Sequence, residues 1–151
     1  MQTIRRARRE DADNIAALVT QAYTPYIARI GRQPAPMLED YRQVVNDTDT
    51  FVLTDGAEIA GVLVMSREDM ELLLVNVAVL PRFKGRGIGK RLMALCEQHA
   101  LDLGCEAIRL YTHELMVENI GIYHKLGYRE THRATENGFA RVFMRKALVA
   151  R

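Results

Sequence analysis

Only two cysteines occur in the 151 residues, Cys96 and Cys105, and neither belongs to a CxxC pair or a His/Cys cluster. That scarcity excludes a disulfide framework and gives a zinc site nothing to build on. Both read as reduced core thiols of a cytoplasmic protein. Long apolar runs are also missing: the longest, Leu72 to Leu80, is broken by Asn76 and is far too short to span a bilayer. The chain opens directly into charge, without the apolar stretch of a secretory leader. Net charge is only +2, so no bulk basicity argues for nucleic acid. Arg5, Arg6, Arg8 and Arg9, interleaved with Ile4 and Ala7, read as the solvated face of a first strand. Repeats, low-complexity tracts and linkers are absent. What remains, with 48% apolar and 26% charged residues, is one globular domain over 1–151 with a real core.

Periodicity then assigns the elements. Gln2 to Arg8 reads as a strand. Glu10, Asp11 and Asp13 place negative charge at a helix start, and Ile15, Leu18, Val19 and Ala22 supply its apolar face. Tyr23 to Pro36, with Pro25, Gly31, Pro34 and Pro36, reads as irregular, and a second helix is expected over Met37 to Val45. Phe51 to Thr54 and Glu58 to Met65 flank Asp55-Gly56 as a hairpin, and Glu71 to Leu80 follows as a third strand. Gly87 to Leu103 carries the clearest helical stripe, closed by Gly104. A strand over Ala107 to Thr112, a helix over Val117 to Leu126 and a closing hairpin complete an α/β (α+β mixed sheet) pattern with a largely antiparallel start.

The chemistry concentrates between Val77 and Met93, where a strand runs through Pro81 into a basic loop holding Gly85, Gly87 and Gly89. Glycines there let the backbone turn sharply and a ligand approach it. The free N–H groups of the following helix, with its dipole, make an anion site, around which stand Arg82, Lys84, Arg86, Lys90 and Arg91. A P-loop is a poor match, because Gly85 and Gly89 are too close and Lys90 is followed by Arg91 rather than a hydroxyl. A dinucleotide fingerprint is also poor: the glycines alternate, and the preceding strands form a meander.

A third pattern fits. Val77-Ala78-Val79-Leu80-Pro81 followed by Lys84-Gly85-Arg86-Gly87-Ile88-Gly89 resembles the coenzyme A pyrophosphate motif of the GNAT superfamily of N-acetyltransferases, Gln/Arg-x-x-Gly-x-Gly/Ala, with Lys84 at the Gln/Arg position. A second segment, Asn119 to Tyr128, resembles the Asn-x-x-Ala/Gly-x-x-Tyr-x-x-x-Gly-Phe/Tyr stretch late in such chains, one helix, one strand and one helix after the loop.

The resemblance implies about seven mostly antiparallel strands with four helices and splayed central strands. It implies acetyl-CoA as co-substrate, without a metal, and acetyl transfer to a primary amine, expected to be a small molecule. Cofactor contacts would come from Val77, Ala78 and Val79, from Lys84, Gly85, Arg86, Gly87, Ile88, Gly89 and Lys90, and from Asn119 near its helix start. A backbone N–H near Val77 to Val79 would stabilise the oxyanion, and Tyr123 would protonate the departing thiolate. Glu71, of the same strand parity as Val77 and Val79, is the first choice of base. His113 and Glu114 are alternatives, and Asn76 could only orient a water. The acceptor pocket is expected at Tyr23, Tyr26, Arg29 and Arg32, which suit an amine that also bears a carboxylate or a flat apolar group. Nucleic acid and membrane partners are not expected. The resemblance is compatible with a homodimer, the state of many members of that superfamily. Two other readings remain, a protein or peptide N-acetyltransferase and a non-catalytic CoA-binding regulatory module.

Overall fold

Asp49–Asp55 (β2), Glu58–Glu68 (β3) and Glu71–Val79 (β4) form an antiparallel meander at the centre of a seven-stranded sheet. In the computed structural model, which describes residues 1–148, Gln2–Arg6 (β1) pairs with β2. Ala107–His113 (β5), Arg129–Glu136 (β6) and Phe139–Ala147 (β7) extend the other side. The order is β1-β2-β3-β4-β5-β7-β6, and every neighbouring pair is antiparallel except β4 with β5.

Five α-helices flank this sheet among the described residues: Ala12–Tyr23 (α1), Pro25–Ile30 (α2), Tyr41–Asp47 (α3), Ile88–Asp102 (α4) and Val117–Lys125 (α5). The mixed α/β architecture is as expected, but four helices become five. The addition is α2. Pro25 occupies its first turn and Gly31, at φ 89°, ends it in the left-handed region. Residues that read as loop breakers are here a start and a stop signal. The helix expected over Met37 to Val45 divides into a 3-10 turn at Ala35–Leu38 and α3, whose start is set by Asp40 accepting from the Arg42 amide at 3.1 Å.

β3 is buried without interruption from Ile59 to Met65, so both faces of the sheet are covered there. Both α1 and α4 pack on β3 and β4. α4 approaches so closely that a Cβ on Gly61 would lie 2.9 Å from Ile88 Cγ2 and 3.0 Å from Leu92 Cδ1. This close packing fixes the start of α4, and with it the glycine loop.

The N-terminal arginines are not simply a solvated face. Arg5 donates to both oxygens of the buried Asp11, at 2.8 and 3.1 Å, and the Arg8 amide donates to Asp11 at 2.7 Å. Arg6 pairs with Asp49 and lies over Phe51. The Arg5 hydrogen bond holds the Asp11 carboxyl below its ordinary value despite partial burial. The stability this contributes is complete above the unfolded pKa of about 3.9 and is lost as pH falls through the lower folded value. Asp11→Ala is therefore expected to cost about 1–3 kcal/mol at neutral pH. The gap in melting temperature from the parent should narrow below about pH 3, where the parent loses the same pair. An equal gap at both pH values would show that the ion pair contributes nothing.

Candidate active site

β4 and β5 pair only from Glu71 to Leu74, opposite Ala107 to Leu110. Beyond this point β4 stays bonded to β3 as far as Val79, and β5 to β7 as far as His113. The facing edges of Val75–Val79 and Tyr111–His113 are thus left apart. The parting coincides with a bulge: Val64 lies opposite Asn76 and Met65 opposite Leu74, which leaves Val75 as an extra residue. A bulge bends its strand and increases its twist. Two cavities meet at the opening. A groove of about 800 Å³ runs past Val77, Ala78 and Val79 to the glycine loop. A smaller cavity of about 200 Å³ lies between the α1–α3 segment and β5 and β7. Tyr23, Val77, Met116, Asn119 and Tyr123 line both.

The groove ends where α4 begins. Gly85 and Gly87 both have φ 81°, and a Cβ on either would meet nothing within 4 Å. The glycines answer a backbone requirement, not a packing one. Gly87 is the N-cap: its carbonyl accepts from the Arg91 amide at 3.0 Å, and no side chain caps the helix. The amides of Ile88, Gly89 and Lys90 therefore lack intrahelical partners and carry the positive end of the helix dipole. Lys84 and Lys90 line the groove. Arg86 is not among the lining residues; it and Arg82 flank the Phe83 ring at 5.3 and 5.1 Å, and Arg82 also pairs with Glu58. Arg91 is turned toward Gln2.

Tyr123 is buried in α5, its ring edge-on to Tyr128 at 5.9 Å. Burial pushes its hydroxyl pKa up to about 12, so it keeps its proton across the working pH range. Asn119, two residues into α5, lines both cavities, but Met116 holds the N-cap position that Asn119 was expected to approach. Across the small cavity, the buried Asn76 amide is clasped from two elements. Tyr23 donates to its oxygen at 2.6 Å, its nitrogen donates to Tyr41 at 3.4 Å, and Tyr41 donates to the Pro36 carbonyl at 2.7 Å.

Glu71 stands apart from this site. Residues opposite one another project to the same face. Leu63 and Met65 share a face, so their partners Val77 and Leu74 do as well, although they are three positions apart. Counting back from Leu74 puts Glu71 on the opposite face from Val77 and Val79, so the bulge reverses the expected parity. Six residues of strand, about 20 Å, separate it from Val77. Its carboxylate is held by Arg145 at 2.9 Å and Arg109 at 3.6 Å, and it lines neither cavity. His113 does line the small cavity, but its Nδ1 accepts from the Leu115 amide at 3.1 Å. Burial lowers its pKa, which favours the neutral ring, and Nδ1 is already engaged. Glu114 lines neither cavity.

The expected acceptor residues divide. Tyr23 lines both cavities and Tyr26 lines the groove. Arg29 is bonded to both oxygens of Glu118, at 2.6 and 3.1 Å, and Arg32 lies 4.1 Å over Phe139 while bonding the Asn137 carbonyl. Both arginines strap α2 and the segment after it to α5 and the β6–β7 hairpin, and neither lines a cavity. Phe139, Tyr111, Glu39 and Arg141, absent from the expected set, line the small one. Arg141 is already committed, paired with Glu136 at 2.7 Å and lying on Tyr111. His99, to which the sequence assigned no partner, bonds Asp49 at 2.9 Å. Among the described residues no cluster of His, Cys, Asp and Glu suits a metal, Cys96 and Cys105 are free and buried, and no helix is long and apolar enough to cross a membrane.

Known proteins resemble this chain in sequence and in fold. The model of the acetyltransferase (GNAT) family matches residues 12–128. An acetyltransferase of Pectobacterium atrosepticum is 30% identical over 94 residues, 62% of this chain and 67% of its own. Among solved structures, the PaiA N-acetyltransferase of Thermoplasma acidophilum in complex with coenzyme A superposes at a TM-score of 0.79, with 16% identity over 98% of this chain and 99% of that one. The ribosomal-protein-S18-alanine N-acetyltransferase of Escherichia coli does so at 0.76, with 18% identity over 100% and 96%.

Proposed function

The chain belongs to the acetyltransferase (GNAT) family, and from that premise we propose that it moves an acetyl group from acetyl-CoA directly to a primary amine of a small molecule. The observation that carries this reading is the meeting of two cavities at Tyr123, one ending on an uncapped helix start and the other lined largely by apolar side chains. Two cavities sharing one wall suit two substrates and a direct transfer between them.

The residues present fit acetyl-CoA. The amides of Ile88, Gly89 and Lys90, with Lys84 and Lys90, supply the donors and charge that a pyrophosphate needs. The edge of Val77–Val79, unpaired toward β5, offers backbone groups to pantetheine amides as a strand edge does to an added strand. An N–H on this edge would bind the developing oxyanion. In the transfer the amine nitrogen bonds to the thioester carbon and the C–S bond breaks. Tyr123 gives its proton to sulfur and regains one from the acetylated nitrogen through solvent. Neither Glu71 nor His113 is assigned the base. The amine enters as the small fraction already unprotonated, so kcat/KM should rise with pH toward the amine pKa of about 10.

Titration with acetyl-CoA, with ATP and NADH as comparators, followed by an amine screen reading free thiol, tests the proposal. Saturable binding of acetyl-CoA alone and amine-dependent thiol release are expected. Binding without release for any amine would leave a non-catalytic CoA-binding module. Release with peptides but not with small amines would replace the acceptor class, a reading for which the S18-alanine acetyltransferase provides a similar fold.

A further inference from the structure

The hydrogen-bond chain across the small cavity has a fixed direction. A carbonyl can only accept, so the Tyr41 hydroxyl gives its proton to Pro36. The Tyr41 oxygen must then accept from Asn76, which turns the amide nitrogen toward Tyr41 and the amide oxygen toward Tyr23. Tyr23 must in turn donate to that oxygen. Its proton is committed, and its hydroxyl oxygen has only lone pairs left to offer. Tyr23 sits where the two cavities join, beside Tyr123 and Val77. Its oxygen is held against Asn76, which lines the small cavity alone, so a lone pair on that side can accept one N–H of an incoming amine and leave the nitrogen lone pair free for attack.

The walls define what carries the nitrogen. The cavity measures about 200 Å³, and an apolar cavity of ~150 Å³ holds a benzene ring, so this one holds about eight non-hydrogen atoms. Val64, Leu74, Leu110, Tyr111, Phe139 and Pro36 make most of its wall apolar. Glu39 is the only carboxylate among the lining residues, and Arg141 is neutralised by Glu136. The local charge thus favours an approaching ammonium and gives an acceptor carboxylate no free partner.

We propose that the small cavity selects a compact, largely apolar primary amine, positioned by an N–H hydrogen bond to the Tyr23 hydroxyl oxygen, whose acceptor character is imposed by the Asn76–Tyr41–Pro36 chain. The inference rests on the acetyltransferase reading above. The probes are 2-phenylethylamine, n-hexylamine and an Ala-initiated tripeptide, assayed with the parent, Tyr23→Phe and Tyr41→Phe. Each small amine should exceed the tripeptide in kcat/KM. Tyr23→Phe should lower kcat/KM for the amines by roughly tenfold, the upper range for one hydrogen bond lost, with the acetyl-CoA Kd unchanged. Tyr41→Phe disturbs the same amide but keeps the Tyr23 oxygen, and a smaller loss is expected. Equal losses in the two variants would assign the effect to the shared amide and overturn the positioning role. So would an unaffected Tyr23→Phe. A preference for the tripeptide would overturn the substrate class. If acetyl-CoA binds and no amine of any kind is acetylated, the acetyltransferase reading itself fails and this inference falls with it.

Discussion

Tyr123→Phe is expected to lower kcat by about a hundredfold or more, the range of a lost general acid, while the acetyl-CoA Kd changes little. The substitution removes one oxygen and keeps the ring that meets Tyr128 at 5.9 Å. Packing, and with it the position of α5 beside both cavities, should survive. The pH dependence separates this role from a general disturbance. Burial holds the Tyr123 pKa near 12, so the parent carries the acid form throughout the assayable range. Tyr123 therefore contributes no alkaline fall below about pH 10. The rise of kcat/KM with pH belongs to the amine, and parent and variant should share its shape while differing in height. Rapid-quench measurement of the first turnover checks that chemistry limits both. Unchanged single-turnover rates would remove Tyr123 from the mechanism. A variant profile with a new inflection would mean that the substitution had altered another titrating group instead.

The groove was legible in the sequence because its requirements are local. Gly85 and Gly87 adopt left-handed backbone, which few other residues tolerate, and the helix start they feed lies within three residues. Alternation in Glu71 to Leu80 was legible for the same reason. The one residue that defeated it, Val75, is extra only relative to β3, a strand whose own sequence gives no sign of the mismatch. That single insertion puts Glu71 on the opposite face from Val77 and Val79, where Arg145 and Arg109 hold it. α2 was missed because Pro25 and Gly31 mark a six-residue helix with the same residues that mark a loop. The small cavity was the least legible part. Its clasp joins Asn76 to Tyr23 across 53 positions and to Tyr41 across 35, and no periodicity reports such partners. Arg29 and Arg32 carry the charge that suggests a binding role, yet their partners Glu118 and Phe139 lie 89 and 107 positions away.

A second large effect is expected at the start of α4, where Gly87→Asp should weaken acetyl-CoA by about 10–100-fold relative to Gly87→Asn. The comparison is built to isolate charge. Asn and Asp are nearly the same size, and both tolerate left-handed backbone better than other residues with a Cβ. The strain of occupying φ 81° is thus shared between them. Open space within 4 Å of the added Cβ means that neither side chain forces α4 away from Gly61. What differs is one negative charge beside the amides of Ile88, Gly89 and Lys90. That charge interacts favourably with the helix dipole, so folding stability in Gly87→Asp should equal or exceed that in Gly87→Asn. The same charge opposes a bound pyrophosphate across a few ångströms, a repulsion of about 1–3 kcal/mol at a partly solvated site. Raising salt to 0.5 M should narrow the affinity gap between the two variants, because screening acts on this interaction and not on backbone strain. Calorimetric titration supplies the affinities and thermal melting the stabilities. Weaker binding with undiminished melting temperature would place the phosphates at this helix start. Equal affinities in the two variants would mean that the loop turns the chain without holding the ligand, and acetyl-CoA would have to be sought elsewhere in the groove.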